Sequence, residues 1–264
     1  MSRPTPNFEY PRSLEGILHV DPDTTDVTKM GLYGVGTTKL FHPGTRYRRG
    51  DSAYRYGLAA AATKSGYGAS NTGTYSGVTG GNVTARAIGD DTVDILLDAT
   101  TGGATWFGTA DRMVGGFYSQ PDATCSQFRM ITGHDRGDST DTVWLTLDGP
   151  LTRVMIATSF TEICQNPYYQ LGRGNNNFQS FMGVPVTNIA ASSYGWIQSW
   201  GPTWITPNLP VADTAHWRTV VFTGDGSIQS YEDATGETGY QVAGFVIDLT
   251  SGDNPPFVFL QVNP

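Results

Sequence analysis

The stretch Tyr194-Gly195-Trp196-Ile197-Gln198-Ser199-Trp200-Gly201-Pro202-Thr203-Trp204 decides the fold class. Tryptophans four apart suggest a helix at first sight, but Gly195, Gly201 and Pro202 break one. Read as a strand, it puts Trp196, Gln198 and Trp200 on one face and Ile197 on the other. Further strand signals flank it at even spacing: Thr92–Leu97, Gly115–Tyr118, Phe128–Thr132, Thr142–Leu147, Val154–Thr158, Val184–Val186, Thr219–Thr223, Val242–Asp248 and Phe257–Val262. Most are bounded by Gly, Pro, Asp or Asn. Many short strands of this kind predict a mainly β protein, a sandwich or barrel-like body, rather than βαβ units.

Composition agrees. Of 264 residues 33 are Gly, 12% are aromatic and only 15% are charged. Helical bundles and coiled coils need far more Ala, Glu, Lys, Leu and Arg. Only Lys29, Lys39 and Lys64 are lysines. Arg46-Tyr47-Arg48 and Ala53-Tyr54-Arg55-Tyr56 alternate around Arg49-Gly50-Asp51-Ser52 and predict a hairpin. Leu58–Ala62 predicts a short helix, and the glycines at 66, 68, 73, 77, 80 and 81 a turning stretch.

Residues 1–43 differ from the rest. They carry five prolines and show no sustained period, and they predict an extended N-terminal arm. Its aromatic anchors include Phe8 and Tyr10. Residues 44–264 form the β-rich body, with a division into two β subdomains expected near 165–185.

The net charge of −8 opposes phosphate backbones and anionic membrane surfaces, which excludes general nucleic-acid and membrane binding. No apolar run approaches a bilayer span, and the first residues lack the apolar core of a secretory signal. Cys125 and Cys164 stand without CxxC spacing and read as two reduced, buried thiols.

The motifs of catalysis are weak. Asp21/Asp23/Asp26, Asp90-Asp91 and Asp135/Asp138/Asp141 lack the closing Glu of a calcium loop and read as turn caps. Only five Glu are present, and no carboxylate pair is placed by spacing for glycoside hydrolysis. His19, His42, His134 and His216 form no zinc pattern. His134, between Gly133 and Asp135, reads as a turn residue. There is no GxSxG elbow, and Gly34-Val35-Gly36-Thr37-Thr38-Lys39 lacks the P-loop frame. Arg49-Gly50-Asp51 spells an integrin-recognition tripeptide, which a turn explains better. These readings predict a non-enzyme with no cofactor and no metal.

What remains is interface chemistry. Arg46, Arg48, Arg49 and Arg55, interleaved with Tyr47, Tyr54 and Tyr56, form the one local excess of positive charge. Arg and Tyr are enriched where proteins meet. Trp196, Trp200 and Trp204 supply core or subunit packing, or a platform for carbohydrate. These ten residues, with Phe8 and Tyr10, are the candidate interface.

Three stretches carry a resemblance: Arg49–Ala59; the course Phe128–Gly133, Trp144–Leu151 and Asn166-Pro167-Tyr168; and Tyr194–Pro202 with Val242–Phe245 and Phe257–Leu260. In these, the chain resembles a group of tailed-bacteriophage virion proteins read as capsid-decoration or head-associated proteins. The resemblance spans about Gly44 to the end and brings no catalytic residue. It implies a structural protein, made in the host cytoplasm, that sits on the capsid surface, binds the major capsid protein and forms a homotrimer. A tail or fibre protein that binds host glycans is the alternative, and a β-fold hydrolase ranks third.

Overall fold

The computed structural model describes residues 31–71, 78–82, 84–96, 107–120, 127–137, 142–155, 160–174, 179–212, 217–232, 240–248 and 256–264. The protein is mainly β. The first strands are β1 (Arg46–Arg49), β2 (Ser52–Ala59), β3 (Ala69–Asn71), β4 (Val78–Asn82) and β5 (Thr92–Leu96). Next come β6 (Phe117–Gln120), β7 (Gln127–His134), β8 (Thr142–Leu147), β9 (Phe160–Cys164) and β10 (Leu171–Arg173). The last are β11 (Phe181–Pro185), β12 (Ser193–Trp204), β13 (Thr219–Phe222), β14 (Ile228–Ser230), β15 (Val242–Asp248) and β16 (Phe257–Gln261).

The chain forms two units, one of Met1–Gly73 with Pro167–Pro264 and one of Thr74–Asn166. The middle stretch is therefore an insertion, and strands before and after it share one sheet. Pairing partners more than a hundred residues apart leave no local mark in a sequence.

The larger unit is built on β12. This strand is long because three neighbours share it. It pairs with β2 from Ser193 to Trp200, with β11 at Ile197 and Gln198, and with β16 from Trp200 to Trp204. The ladder β2–β10–β3–β11–β12 returns to β2 and closes a five-strand circuit. β1 flanks it, and β16, β15, β13 and β14 continue the sheet. A register shift between Gln198 and Trp200 separates the two halves of β12. Such a bulge re-aims the side chains that follow it. Trp196 thus lies fully buried among Phe41, Tyr47, Tyr54, Tyr56 and Leu32, whereas Trp204 is exposed.

The β1–β2 hairpin forms as expected, with Gly50 and Asp51 as its two-residue loop. Gly50 takes a φ of 57°, the left-handed value that tight hairpins ask of their first loop residue. Two expectations are corrected. Leu58–Ala62 is no helix: the main chain stays extended to Ala59, where Ala59 pairs with both Leu171 and Ser193. Ladder bonds on both sides outweigh the helix propensity of four alanines. Residues 31–43 are not a free arm either. Leu32 and Phe41 enter the aromatic core, Gly36 bridges to Tyr194, and the Leu40 N–H donates to the Tyr56 hydroxyl. Residues 1–30 lie outside the described residues.

The inserted unit is a closed barrel in the order β4-β5-β8-β7-β6-β9. All its pairings are antiparallel. Along β8 buried Val143, Leu145 and Leu147 alternate with exposed Thr142, Trp144 and Thr146, the period of a sheet with one wet face. The core joins these to Val93, Ile95, Tyr118, Ile131 and Ile163, with Phe107 and Met113 from the segment between β5 and β6. Of the expected strand Val154–Thr158, Met155 makes a single bridge to Arg86, and residues 156–159 lie outside the described residues.

Candidate binding face

The second half of β12 and its neighbours carry alternating side chains. Val258 and Leu260 of β16 and Val246 of β15 point into the core. Between them stand Phe257 (53% exposed) and Phe259 on β16, and Phe245 (41% exposed) on β15. Register then does the rest. Phe259 lies opposite both Pro202 and Phe245, and Phe257 opposite Trp204. Phe245 and Phe259 stack with centroids 5.4 Å apart and planes 8° apart, and Trp200 meets Phe259 edge-on at 5.7 Å. Phe245, Phe259 and Trp200, continued by Pro202, Trp204 and Phe257, make a row of apolar rings across three strands.

Two cavities border this row. One, of about 200 Å³, is lined by Trp200, Phe259, Arg48, Gly50, Asp51, Ser52 and Ala53. The other, of about 270 Å³, includes Tyr33, Tyr54, Val184, Pro202, Trp204 and Phe257 in its lining. The hairpin loop reaches the row because Gly201, at a φ of 94°, lets it approach. A Cβ there would stand 2.8 Å from the Ser52 Cα, too close for any other residue. The wall beside Trp200 is polar, since Arg48 and Asp51 are both exposed.

The twelve candidate residues separate into four groups. Trp200, Trp204 and Arg48 come together near the row, and Arg49 is exposed at the end of the hairpin. Tyr47, Tyr56 and Trp196 do not: they are core, a correction to their reading as interface, while Tyr54, also buried, lines the second cavity. Tyr56 is wholly buried, and burial pushes its phenol well above the usual range. Arg46 and Arg55 are half-buried. Arg55 clamps the chain end, donating to the Gly44 carbonyl, the Asn263 Oδ1 and the Pro264 carbonyl at 3.2–3.4 Å. The basic cluster is thus partly internal. Phe8 and Tyr10 lie outside the described residues, as do Cys125, Asp138, Asp141, His19 and His216.

Asp90 caps a turn, accepting from the Ala87 N–H, whereas Asp135 accepts from the Trp144 N–H and Asp148 from the Met130 N–H, bonds that cross between the β7 and β8 sides rather than close a turn. Among the described residues no group of three or more His, Cys, Asp or Glu is placed to hold a metal ion. No helix among them is long and apolar enough to cross a membrane. Cys164 is a free thiol and exposed rather than buried; partial burial and Glu162 push its pKa up.

Two polar clusters escaped the sequence reading. Asp225 takes the Ser227 N–H and hydroxyl, the Thr223 hydroxyl and an Arg173 ion pair at 2.8 Å. Burial opposes its charge, but these donors win and bring its pKa down to about 2. The signal was Thr223-Gly224-Asp225-Gly226-Ser227 between two apolar runs, an Asx turn. In the barrel, Asp94 on β5 accepts from the Thr84 hydroxyl at 2.6 Å and pairs with Arg86 at 3.1 Å. Burial raises the Asp94 carboxyl, and Thr84 and Arg86 together outweigh it and hold it below the ordinary range. Arg86 in turn lies over the Trp144 ring at 4.6 Å. The signal was a lone Asp inside Thr-Val-Asp-Ile-Leu.

Comparison with protein-family models, with curated proteins and with solved structures finds no match to this chain.

Proposed function

We propose that the protein acts by binding rather than by catalysis, as a structural virion protein that decorates or cements a tailed-phage capsid. Its partners in this reading are the major capsid protein and further copies of itself, as a homotrimer, and its place is the capsid surface. The observation that carries the reading is the row in which half-buried Trp200 and Phe259 stand beside exposed Phe245, Trp204 and Phe257. A contiguous apolar patch rimmed by polar groups marks a surface that another molecule covers. Large aromatic rings with Arg at the margin are the residue types that carry binding energy between proteins. The resemblance in Arg49–Ala59 and Tyr194–Pro202 points the same way, because those stretches build the hairpin and the row.

The glycan reading draws on one observation, the cavity in which Trp200 and Phe259 stand beside Arg48 and Asp51. Rings that pack on a sugar face, next to charged hydrogen-bonding groups, suit a saccharide. A single experiment separates the two. Heads stripped of the protein are mixed with wild type or with the Trp200→Ser/Phe259→Ser double variant, and bound protein is measured after sedimentation. Loss of two central rings is expected to weaken rebinding at least tenfold, at about 1–2 kcal/mol for each ring. Equal occupancy would remove the row from the attachment surface. Wild type that ignores heads but binds host-envelope sugars would replace the capsid reading with the glycan one.

A further inference from the structure

His134 closes β7, and its ring has both nitrogens committed. Nδ1 lies 2.6 Å from the Asp135 carbonyl oxygen, which can only accept, so Nδ1 carries the proton. Nε2 accepts the Met113 N–H at 2.9 Å, so Nε2 carries none. The ring is therefore neutral in a fixed tautomer. A proton added at Nε2 would set N–H against N–H and remove the bond.

Met113 belongs to the segment Phe107–Gly116, whose Phe107, Met113 and Val114 are buried, the first two in the barrel core. The Phe107 ring also packs edge-on against the His134 imidazole at 4.9 Å. Further bonds hold the segment as well. Asp111 exchanges bonds with the His134 main chain, with its N–H on the His134 carbonyl and its Oδ1 accepting the His134 N–H. Gly115 and Gly116 pair with Ile131, Gly137 donates to the Phe107 carbonyl, and the Asn166 amide donates to the Val114 carbonyl. Asp111 has a φ of 58°, in the left-handed region that Asp enters more readily than most non-glycine residues.

We propose that His134 is an acid-sensitive latch, whose protonation frees the segment Phe107–Gly116 from the barrel while the strands stay paired. This inference is independent of the virion reading. The charges that act on the ring are Asp111 from the segment and Asp135 just past β7. β8 faces His134 with Leu145, which carries none. Burial disfavours the charged ring and outweighs the two carboxylates, so its pKa is lowered from the usual value. The sign follows. A lowered folded-state value means that closure is complete above the free histidine value of about 6.5 and is lost as pH falls from there through the ring's own value.

Amide hydrogen exchange on the full chain tests this, with each rate normalised to its intrinsic value at that pH. Protection of Met113, Val114, Gly115 and Gly116 is expected to fall as pH drops below about 6.5, by up to about tenfold per pH unit, while β5 and β8 keep theirs. His134→Gln retains an acceptor but no titrating ring, and its pH slope is expected to vanish. A flat wild-type profile down to pH 5, the same slope in the glutamine variant, or loss of protection throughout the barrel would each overturn the latch. If the variant does not fold, ring ¹⁵N shifts of the wild type decide. A titration midpoint below 6.5 from the Nδ1–H tautomer supports it, and one at or above 6.5 with the segment still protected overturns it.

Discussion

Trp196→Ala is expected to cost about 4 kcal/mol, the range for removing a large aromatic ring from a packed core. Trp196 is wholly buried and touches the rings of Tyr56, Phe41 and Tyr47 at centroid distances of 5.3, 5.6 and 6.0 Å. Those rings come from three places in the chain, β1, β2 and the segment before β1. The cavity left behind cannot close without moving the β2–β12 ladder, where Trp196 faces Tyr56 directly. Trp196→Phe should cost far less, about 1–2 kcal/mol, because the indole N–H has no hydrogen-bond partner to lose among the described residues. Urea unfolding followed by near-ultraviolet circular dichroism reads both. An alanine variant within 1 kcal/mol of wild type would mean that the cluster is not the core of this unit.

Asp94→Ala should destabilise the barrel by about 3 kcal/mol, the cost of leaving one member of a mostly buried ion pair alone. Asp94 and Arg86 have side chains only 4% and 18% exposed. Removing the carboxylate leaves the largely buried guanidinium without its ion-pair partner, while the exposed Thr84 hydroxyl can turn to water. The same pair sets a pH dependence. Because the Asp94 pKa is lowered, its contribution is present above the free carboxylate value of about 4 and is lost as pH falls through the folded value. Exchange protection of β5 and β8 amides measures this effect, and Asp94→Ala should flatten that acid limb. An unchanged limb would show that other carboxylates set it.

The fold class was legible in the sequence because each signal was local. Alternation at Thr142–Leu147 and at Ala53–Tyr56, and the Gly-Asp loop between Tyr47 and Tyr54, need only neighbouring residues to be read. The row was half legible. Trp200 and Trp204 stood out by type, but Phe245, Phe257 and Phe259 join them only through the β12–β16–β15 register, which no spacing records. Trp196 was placed beside Trp200 by strict alternation, and the bulge at Ser199 parts them. Leu32 and Phe41 looked like anchors on a loose arm because their partners, Tyr56 and Trp196, lie far along the chain. Leu58–Ala62 read as helix because propensity is local, whereas the ladder that overrides it comes from Leu171 and Ser193. The latch at His134 was read as a turn, and its chemistry depends on Met113, twenty-one residues earlier.

In the virion reading the aromatic row is covered once the protein sits on a particle. Hydroxyl-radical footprinting by mass spectrometry measures this at single residues. The protein is oxidised free in solution and as part of purified particles. Exposed Trp204, Phe245 and Phe257 are expected to react readily in the free protein and, with half-buried Trp200 and Phe259, to be several-fold protected on particles. Phe128 and Trp144 on the barrel serve as exposed references. Particles that lack the protein, or a row equally oxidised in both states, would contradict the account.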